Sequence, residues 1–262
     1  MDITPIQYAL AILAGILAGI INTLAGSGSA VTLPMLVFLG LDAGVANATN
    51  RVGVAVQNVV GISTFKSSGK LELSGGLWLT VPAMIGSLVG ASIAVQLDER
   101  AMNMAIGGML LIVLGTILFN PGKWLRAQSE VREGRPGILT LLIFFVIGIY
   151  GGFIQAGVGV FILTAMVLGA GYSLVHANAI KLMIVLALTV VALGVFIFSP
   201  VQINWGIGIL MAVGQSIGAW AAAKFAVSVP NANKYVRWLL IVVVVYSIFK
   251  FFGILDLLLG ML

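Results

Sequence analysis

GILAGIINTLAGSGSAVTLPMLVFLGLDAGVANATNRVGVAVQNVVG, residues 15–61, is the stretch that decides how this chain folds. It begins as an apolar helix, breaks at Gly26-Ser27-Gly28-Ser29, resumes as far as Gly40, and then opens a new apolar segment carrying Asn47, Asn50, Arg51, Gln57 and Asn58. The plan returns in GIYGGFIQAGVGVFILTAMVLGAGYSLVHANAIKLMIVLALT, residues 148–189, with Gly157 and Gly159 at its break. One constant offset superimposes Gly28 on Gly159, Gly40 on Gly171, Ala46-Asn47-Ala48 on Ala177-Asn178-Ala179, and Asn50 on Lys181. The repeat predicts a duplication: residues 1–119 and 137–262 as two repeats joined by a basic loop at 120–136.

The medium follows from composition. Of 262 residues, 61% are hydrophobic and only 8% charged, against about 25% charged in a soluble domain. Apolar runs recur at roughly the 20 residues that a helical span needs. No alternating segments of about 10 residues suggest a transmembrane barrel. The expected fold is an all-α, polytopic helical membrane protein in the cytoplasmic membrane. The excess of 13 Lys and Arg over 8 Asp and Glu sits in short loops, where the positive-inside bias explains it; nucleic acid is not an expected partner. With no cysteine and one histidine, His176, neither a thiolate nor a transition-metal site is expected. No cofactor is implied. MDITPIQYAL carries no basic n-region, so the first helix is expected to insert and remain.

Residues 5–40 as one helix would be about 54 Å long at 1.5 Å per residue, against a hydrocarbon core of roughly 30 Å. The segment either crosses once with an excess or breaks at the glycines and folds back as a hairpin. Under the hairpin, Lys66, Lys70, Lys123, Arg126, Arg132 and Arg135 share one side with Lys224, Lys234 and Arg237. The positive-inside rule favours that arrangement. Three crossings then follow each hairpin, the halves are inverted repeats, both termini lie outside, and the 120–136 loop is cytoplasmic.

Gly-interrupted segments at matching places in two halves point to a transporter's substrate site. The half-helices after the breaks are expected to turn free N–H groups inward, toward an anion. Asn22, Ser27, Gly28, Gln155, Gly157 and Gly159 line these breaks. At about 100° per residue, Asn47, Asn50, Arg51, Gln57, Asn58 and Gly61 fall within an arc of about 120°, and such a stripe on a spanning helix must face protein or water. Asn178, Lys181 and Thr189 occupy the equivalent face. All eight acids lie at segment ends or in loops, which argues against a cation carrier or a carboxylate proton relay. An interior of cations and amides suits a small oxyanion. The pairs Gly15/Gly19, Gly86/Gly90, Gly148/Gly152 and Gly214/Gly218 are expected to serve close helix packing. No Ser/His/Asp arrangement supports a hydrolase.

The early Gly-Ser-Gly break followed by Leu33-Pro34, the Asn47–Arg51 run leading to Gln57-Asn58, the FKSSGKL stretch at 65–71, and Ala177–Lys181 together resemble the sulfite exporter TauE/SafE family of membrane permeases. The resemblance implies a two-part helical permease, not an enzyme, for sulfite, sulfonates or related sulfur oxyanions. It implies export, with Asn47, Asn50, Arg51, Gln57, Asn58, Asn178 and Lys181 facing the substrate. The expected function is secondary transport of a small sulfur-containing anion by alternating access between the two halves. The alternatives are an anion channel and a non-transporting membrane assembly subunit. The partners are the anion and the bilayer; self-association is left open.

Overall fold

A computed structural model describes residues 5–67, 76–118, 136–169, 174–225 and 232–254. The predicted loop at 120–136 therefore falls almost wholly outside the described residues, as do Lys70, Leu71 and Trp124. The side chain of His176 is likewise outside them.

Every regular element among the described residues is helical. In chain order they are α1 (Pro5–Ala25), α2 (Ser29–Phe38), α3 (Ala43–Ser67), α4 (Gly76–Ala94), α5 (Glu99–Leu118), α6 (Ile138–Phe153), α7 (Val158–Thr164), α8 (Leu174–Ile197), α9 (Trp205–Phe225) and α10 (Ala232–Phe251). α7 runs on into one π-turn, Ala165–Gly169.

The chain reverses at both breaks. Gly26 has φ +76°, a conformation only glycine adopts cheaply. Its N–H closes α1 by bonding to the carbonyls of Ile21 and Asn22 at 3.2 and 2.9 Å. Gly28 then comes back against α1: a Cβ placed on it would stand 2.3 Å from the Ala18 carbonyl oxygen and 2.6 Å from the Asn22 Cβ. At the second break Gln155 and Gly157 have φ +70° and +72°. The Tyr150 ring meets Phe161 edge-on at 5.2 Å across the reversal, and its hydroxyl donates to the Ala156 carbonyl. Residues 5–40 therefore fold back on themselves at the first break instead of continuing as one helix.

The remaining long helices pack in a row: α1 on α9, α9 on α3, α3 on α8, α8 on α4, and α4 on α6, with α5 against α10. The glycine pairs set the two outermost contacts, as the spacing predicts. A Cβ on Gly19 would lie 2.2 Å from the Gln215 carbonyl oxygen, and one on Gly218 2.1 Å from that of Ile16, so α1 and α9 touch backbone to backbone. A Cβ on Gly90 would lie 1.9 Å from the Ile149 oxygen, and one on Gly152 2.1 Å from that of Ser87, which joins α4 to α6 in the same way. Small residues permit this approach where lipid supplies no hydrophobic drive between helices.

Among the described residues, four helical stretches are long and apolar enough to cross a membrane: Pro5–Leu24, Gly76–Ala94, Ile180–Ile197 and Trp205–Ala222. Their outward faces are apolar, for example Leu77, Trp78, Val81 and Ile85 on α4 and Ile209, Val213, Ile217 and Trp220 on α9. α3 is the exception to uniform hydrophobicity. At 25 residues it is about 37 Å long, yet it buries Asn47, Thr49, Asn50, Arg51, Gln57 and Asn58. Its N-terminus is held by Glu99, whose carboxylate oxygens accept from the Ala43 N–H at 2.8 and 3.0 Å.

Candidate substrate site

The predicted polar stripe of α3 faces inward along its whole length. Asn47, Asn50, Arg51 and Asn58 have no exposed surface and Gln57 only 1%. α8 lies across α3 with its own polar residues turned to the same region: Lys181 is 1% exposed and Thr189 fully buried. The seam between them is otherwise apolar, with Val54 of α3 in one cluster with Val158, Ile184, Val185 and Leu188.

Where the cations go was not legible beforehand. Arg51 reaches into the second half and closes the end of α6. Its Nη1 donates to the Gly151 carbonyl at 3.2 Å and its Nη2 to the Gly152 carbonyl at 2.5 Å and the Phe153 carbonyl at 3.3 Å. Asn47 Nδ2 donates to the same Phe153 carbonyl at 2.7 Å. The guanidinium carbon stands 5.0 Å from the centre of the Phe196 ring, a cation–π contact from α8. Lys181 does the reciprocal thing. Its Nζ donates to the Asn22 and Thr23 carbonyls, both at 3.2 Å, in the last turn of α1.

The physical reason lies in the breaks. A helix end leaves its last carbonyls without intrahelical partners and carries the negative end of the dipole. α1 and α6 both end inside the protein, away from water. Each receives a cation from the other half, which at α1 adds to the Gly26 N–H already on Asn22 O, and no carboxylate is involved. Asp42, Asp98 and Glu99, the acids among the described residues, stand exposed at helix starts.

Several of the N–H groups after the breaks are bonded locally: Ala30 donates to Ser27 O at 3.1 Å, Val31 to Gly28 O at 2.9 Å, and Val160 to Gly157 O at 3.0 Å. The Gly159 N–H donates across the seam to Gly26 O at 3.1 Å, so the two breaks touch each other. Arg51 and Lys181 are the cations buried beside these breaks.

The amides divide into satisfied and unsatisfied groups. Asn50 is committed to α2, donating to Ser29 Oγ at 3.1 Å and accepting from the Thr32 hydroxyl. Ser27 and Gly28 are buried in the first break and Asn22 is 8% exposed. Gln155 donates to Thr189 Oγ1 but leaves its Oε1 without a partner. Gln57 has neither of its polar atoms bonded, and Asn58 Oδ1, Asn178 Oδ1, Thr23 Oγ1 and Arg51 Nε are equally unmet. Buried polar atoms are rarely left so; these come from α1, α3, α8 and the second break, and Gln215 Nε2 and Ser216 Oγ of α9 are unmet as well.

A helical bundle with apolar outer faces and a cationic, amide-rich seam between two broken helices is the architecture of a multi-pass membrane transporter. Residues 11–251 match the family described as "Sulfite exporter TauE/SafE", and the chain belongs to that family. A probable membrane transporter protein, ORF9, of Sinorhizobium sp. is 26% identical over 90% of this chain and 88% of its own length. The probable membrane transporter protein YfcA of Escherichia coli K12 is 25% identical over 92% of this chain and 88% of its own. The probable membrane transporter protein YdhB of Bacillus subtilis is 23% identical over 84% and 89%. No solved structure matches the chain. The protein is thus a membrane transporter rather than an enzyme, with a small-molecule substrate and a bilayer around it.

Proposed function

We propose that this protein exports a small sulfur-containing oxyanion, sulfite or an organosulfonate, across the cytoplasmic membrane by alternating access. The anion binds between the two broken segments, with Arg51 and Lys181 as its cationic contacts. Gln57, Asn58, Gln155 and Asn178 supply amides, and Asn22, Asn47, Asn50, Ser27, Gly28, Gly157 and Gly159 shape the walls. The observation that carries this reading is the reciprocal burial of two cations without a carboxylate partner, beside amide atoms that have no partner at all. Carbonyl oxygens hold Arg51 and Lys181, and oxyanion oxygens compete for the same N–H donors with the advantage of full charge. Reciprocal packing of α1 on α9 and α6 on α4 supports the division into repeats at 1–119 and 137–262. The charge distribution supports inverted repeats with the 120–136 loop in the cytoplasm. A membrane potential negative inside favours exit of an anion by about 2.3 kcal/mol per charge per 100 mV, so export needs no nucleotide.

The test is calorimetric titration of purified protein with sulfite, sulfate, thiosulfate, a short alkylsulfonate, chloride and acetate. Saturable heat with sulfite or the sulfonate, reduced at least about tenfold in affinity by Arg51→Gln or Lys181→Gln, is the expected result. Wild-type affinity in both variants removes these residues from the site; saturable binding of acetate alone removes the sulfur oxyanion.

A further inference from the structure

We infer that the bodies moving past one another in the transport cycle are not the two sequence halves. They are two interleaved units, one of α1, α3 and α9 and one of α4, α6 and α8, with Arg51 and Lys181 making the bonds exchanged between them. The inference rests on the reading of the protein as an alternating-access carrier and says which parts alternate.

The argument starts from what can slide. Two helices joined backbone to backbone through glycine have no side chains to repack, so relative movement means steric collision. Such joints tie α1 to α9 and α4 to α6, and each of them connects opposite sequence halves. Rigid halves would have to tear both open. The next contacts inward are also close. A Cβ on Gly208 of α9 would lie 3.4 Å from the Thr49 carbonyl oxygen of α3, one on Gly53 of α3 would lie 3.5 Å from the Ala212 nitrogen of α9, and the Asn204 N–H just before α9 donates to Thr49 Oγ1 at 3.0 Å. In the other unit, the buried Ser87 hydroxyl of α4 donates to the Leu188 carbonyl of α8 at 2.6 Å, a bond from side chain to backbone that sliding would break.

The α3–α8 seam is built differently. Leu182 lies over Gly61, Phe196 over Arg51, and Val54 among the aliphatic side chains of α8. These are contacts between movable side chains, which rotamer changes can remake. The polar bonds that cross the seam at the breaks are these. Arg51 and Asn47 of one unit hold the end of α6 in the other, Lys181 of the second unit holds the end of α1 in the first, and Gly26 meets Gly159. Arg51 and Lys181 have 0% and 1% exposure, so no anion reaches either until the seam parts. When it parts on one side, the freed cation is offered to the anion while the other still holds its helix end.

The chain has no cysteine, so paired cysteines carry nitroxide labels without background. Ile6 of α1 and Ile217 of α9 are 72% and 47% exposed, and Val81 of α4 is 56% exposed. Ile6 and Ile217 lie in different sequence halves but one unit; Ile6 and Val81 lie in one half but different units. Pulsed EPR in lipid bilayers should give one invariant distance for Ile6–Ile217. Ile6–Val81 should give two populations separated by roughly 5 Å, about a helical turn. The reverse pattern, or a single population in the Ile6–Val81 pair, overturns the inference. Sulfite should shift the ratio of the two populations. If they exist and no sulfur oxyanion moves their ratio, the cargo has been misread while the moving units stand. A second measurement uses disulfides: Val52→Cys with Gly208→Cys, oxidised, should leave labelled-sulfite exchange intact, and Gly61→Cys with Leu182→Cys should abolish it until reduced. Loss of exchange on closing the first pair contradicts the inference.

Discussion

The guanidinium of Arg51, on the third helix, lies 2.5 Å from the carbonyl oxygen of Gly152, at the end of the sixth. Lys181 repeats the relationship toward Asn22 with the halves exchanged. A cation in this position does two things: it closes a helix end that water cannot reach, and it keeps a charge buried without neutralising it. The second property suits anion binding; the first makes the same residue structural.

Removal of either cation is therefore expected to weaken the fold as well as binding. Arg51→Gln leaves α6 carbonyls unmet at about 1–3 kcal/mol each, and loss of roughly 2–5 kcal/mol is expected. Arg51→Lys should recover part of this, because one ammonium meets fewer carbonyls than the planar fork. Thermal unfolding in detergent checks it: equal melting temperatures for wild type and Arg51→Gln would show that the carbonyls find other partners.

Gln57→Leu should separate stability from function. Both polar atoms of Gln57 are buried without partners, so an apolar side chain of similar size is expected to stabilise the protein by on the order of 1 kcal/mol. Anion-induced thermal protection should disappear. A variant that melts lower than wild type, or that sulfite still protects, would mean that Gln57 is satisfied in the resting protein or remote from the anion.

The glycine joints give a paired prediction. Gly90→Ala and Gly152→Ala put a methyl 1.9 Å from the Ile149 oxygen and 2.1 Å from the Ser87 oxygen. Each should cost at least about 1–3 kcal/mol. Gly108→Ala, with nothing within 4 Å of the new methyl, should gain about 0.5–1 kcal/mol from helix entropy. Denaturation by sodium dodecyl sulfate ranks the three, and a neutral Gly90→Ala would show that the joint yields.

Glu99→Ala removes the cap on α3. The carboxylate is exposed, and the expected loss is the roughly 0.5–2 kcal/mol of a helix cap, with sulfite affinity unchanged. Reduced affinity at unchanged stability would place the start of α3 in the transport path.

Much of the architecture could be read in advance because the bilayer imposes it. A chain this poor in charge must be helical and lipid-embedded, and a row of amides at helical spacing on α3 must face inward. The glycine pairs announced close packing, since four-residue spacing of small residues has few other uses. Their partners were hidden: nothing in Gly19 says that it meets Gln215, because long-range pairing depends on how every other helix is placed. The role of Arg51 was legible as a buried charge but not as a helix closure. A signal was available, since α1 and α6 end at glycine breaks with no capping side chain of their own and must take donors from elsewhere. The breaks were expected to present N–H groups, and local bonds such as Val31 to Gly28 O take up several of them.

The most direct measurement is exchange of radiolabelled sulfite in proteoliposomes containing the purified protein, with an outward or inward gradient of unlabelled sulfite. Saturable exchange is predicted, accelerated by unlabelled sulfite on the opposite face, competed by an alkylsulfonate, and lost in both Arg51→Gln and Lys181→Gln reconstituted at equal density. Exchange no faster than in protein-free vesicles, with sulfite and every sulfonate tried, would contradict the assignment of this seam to a sulfur oxyanion.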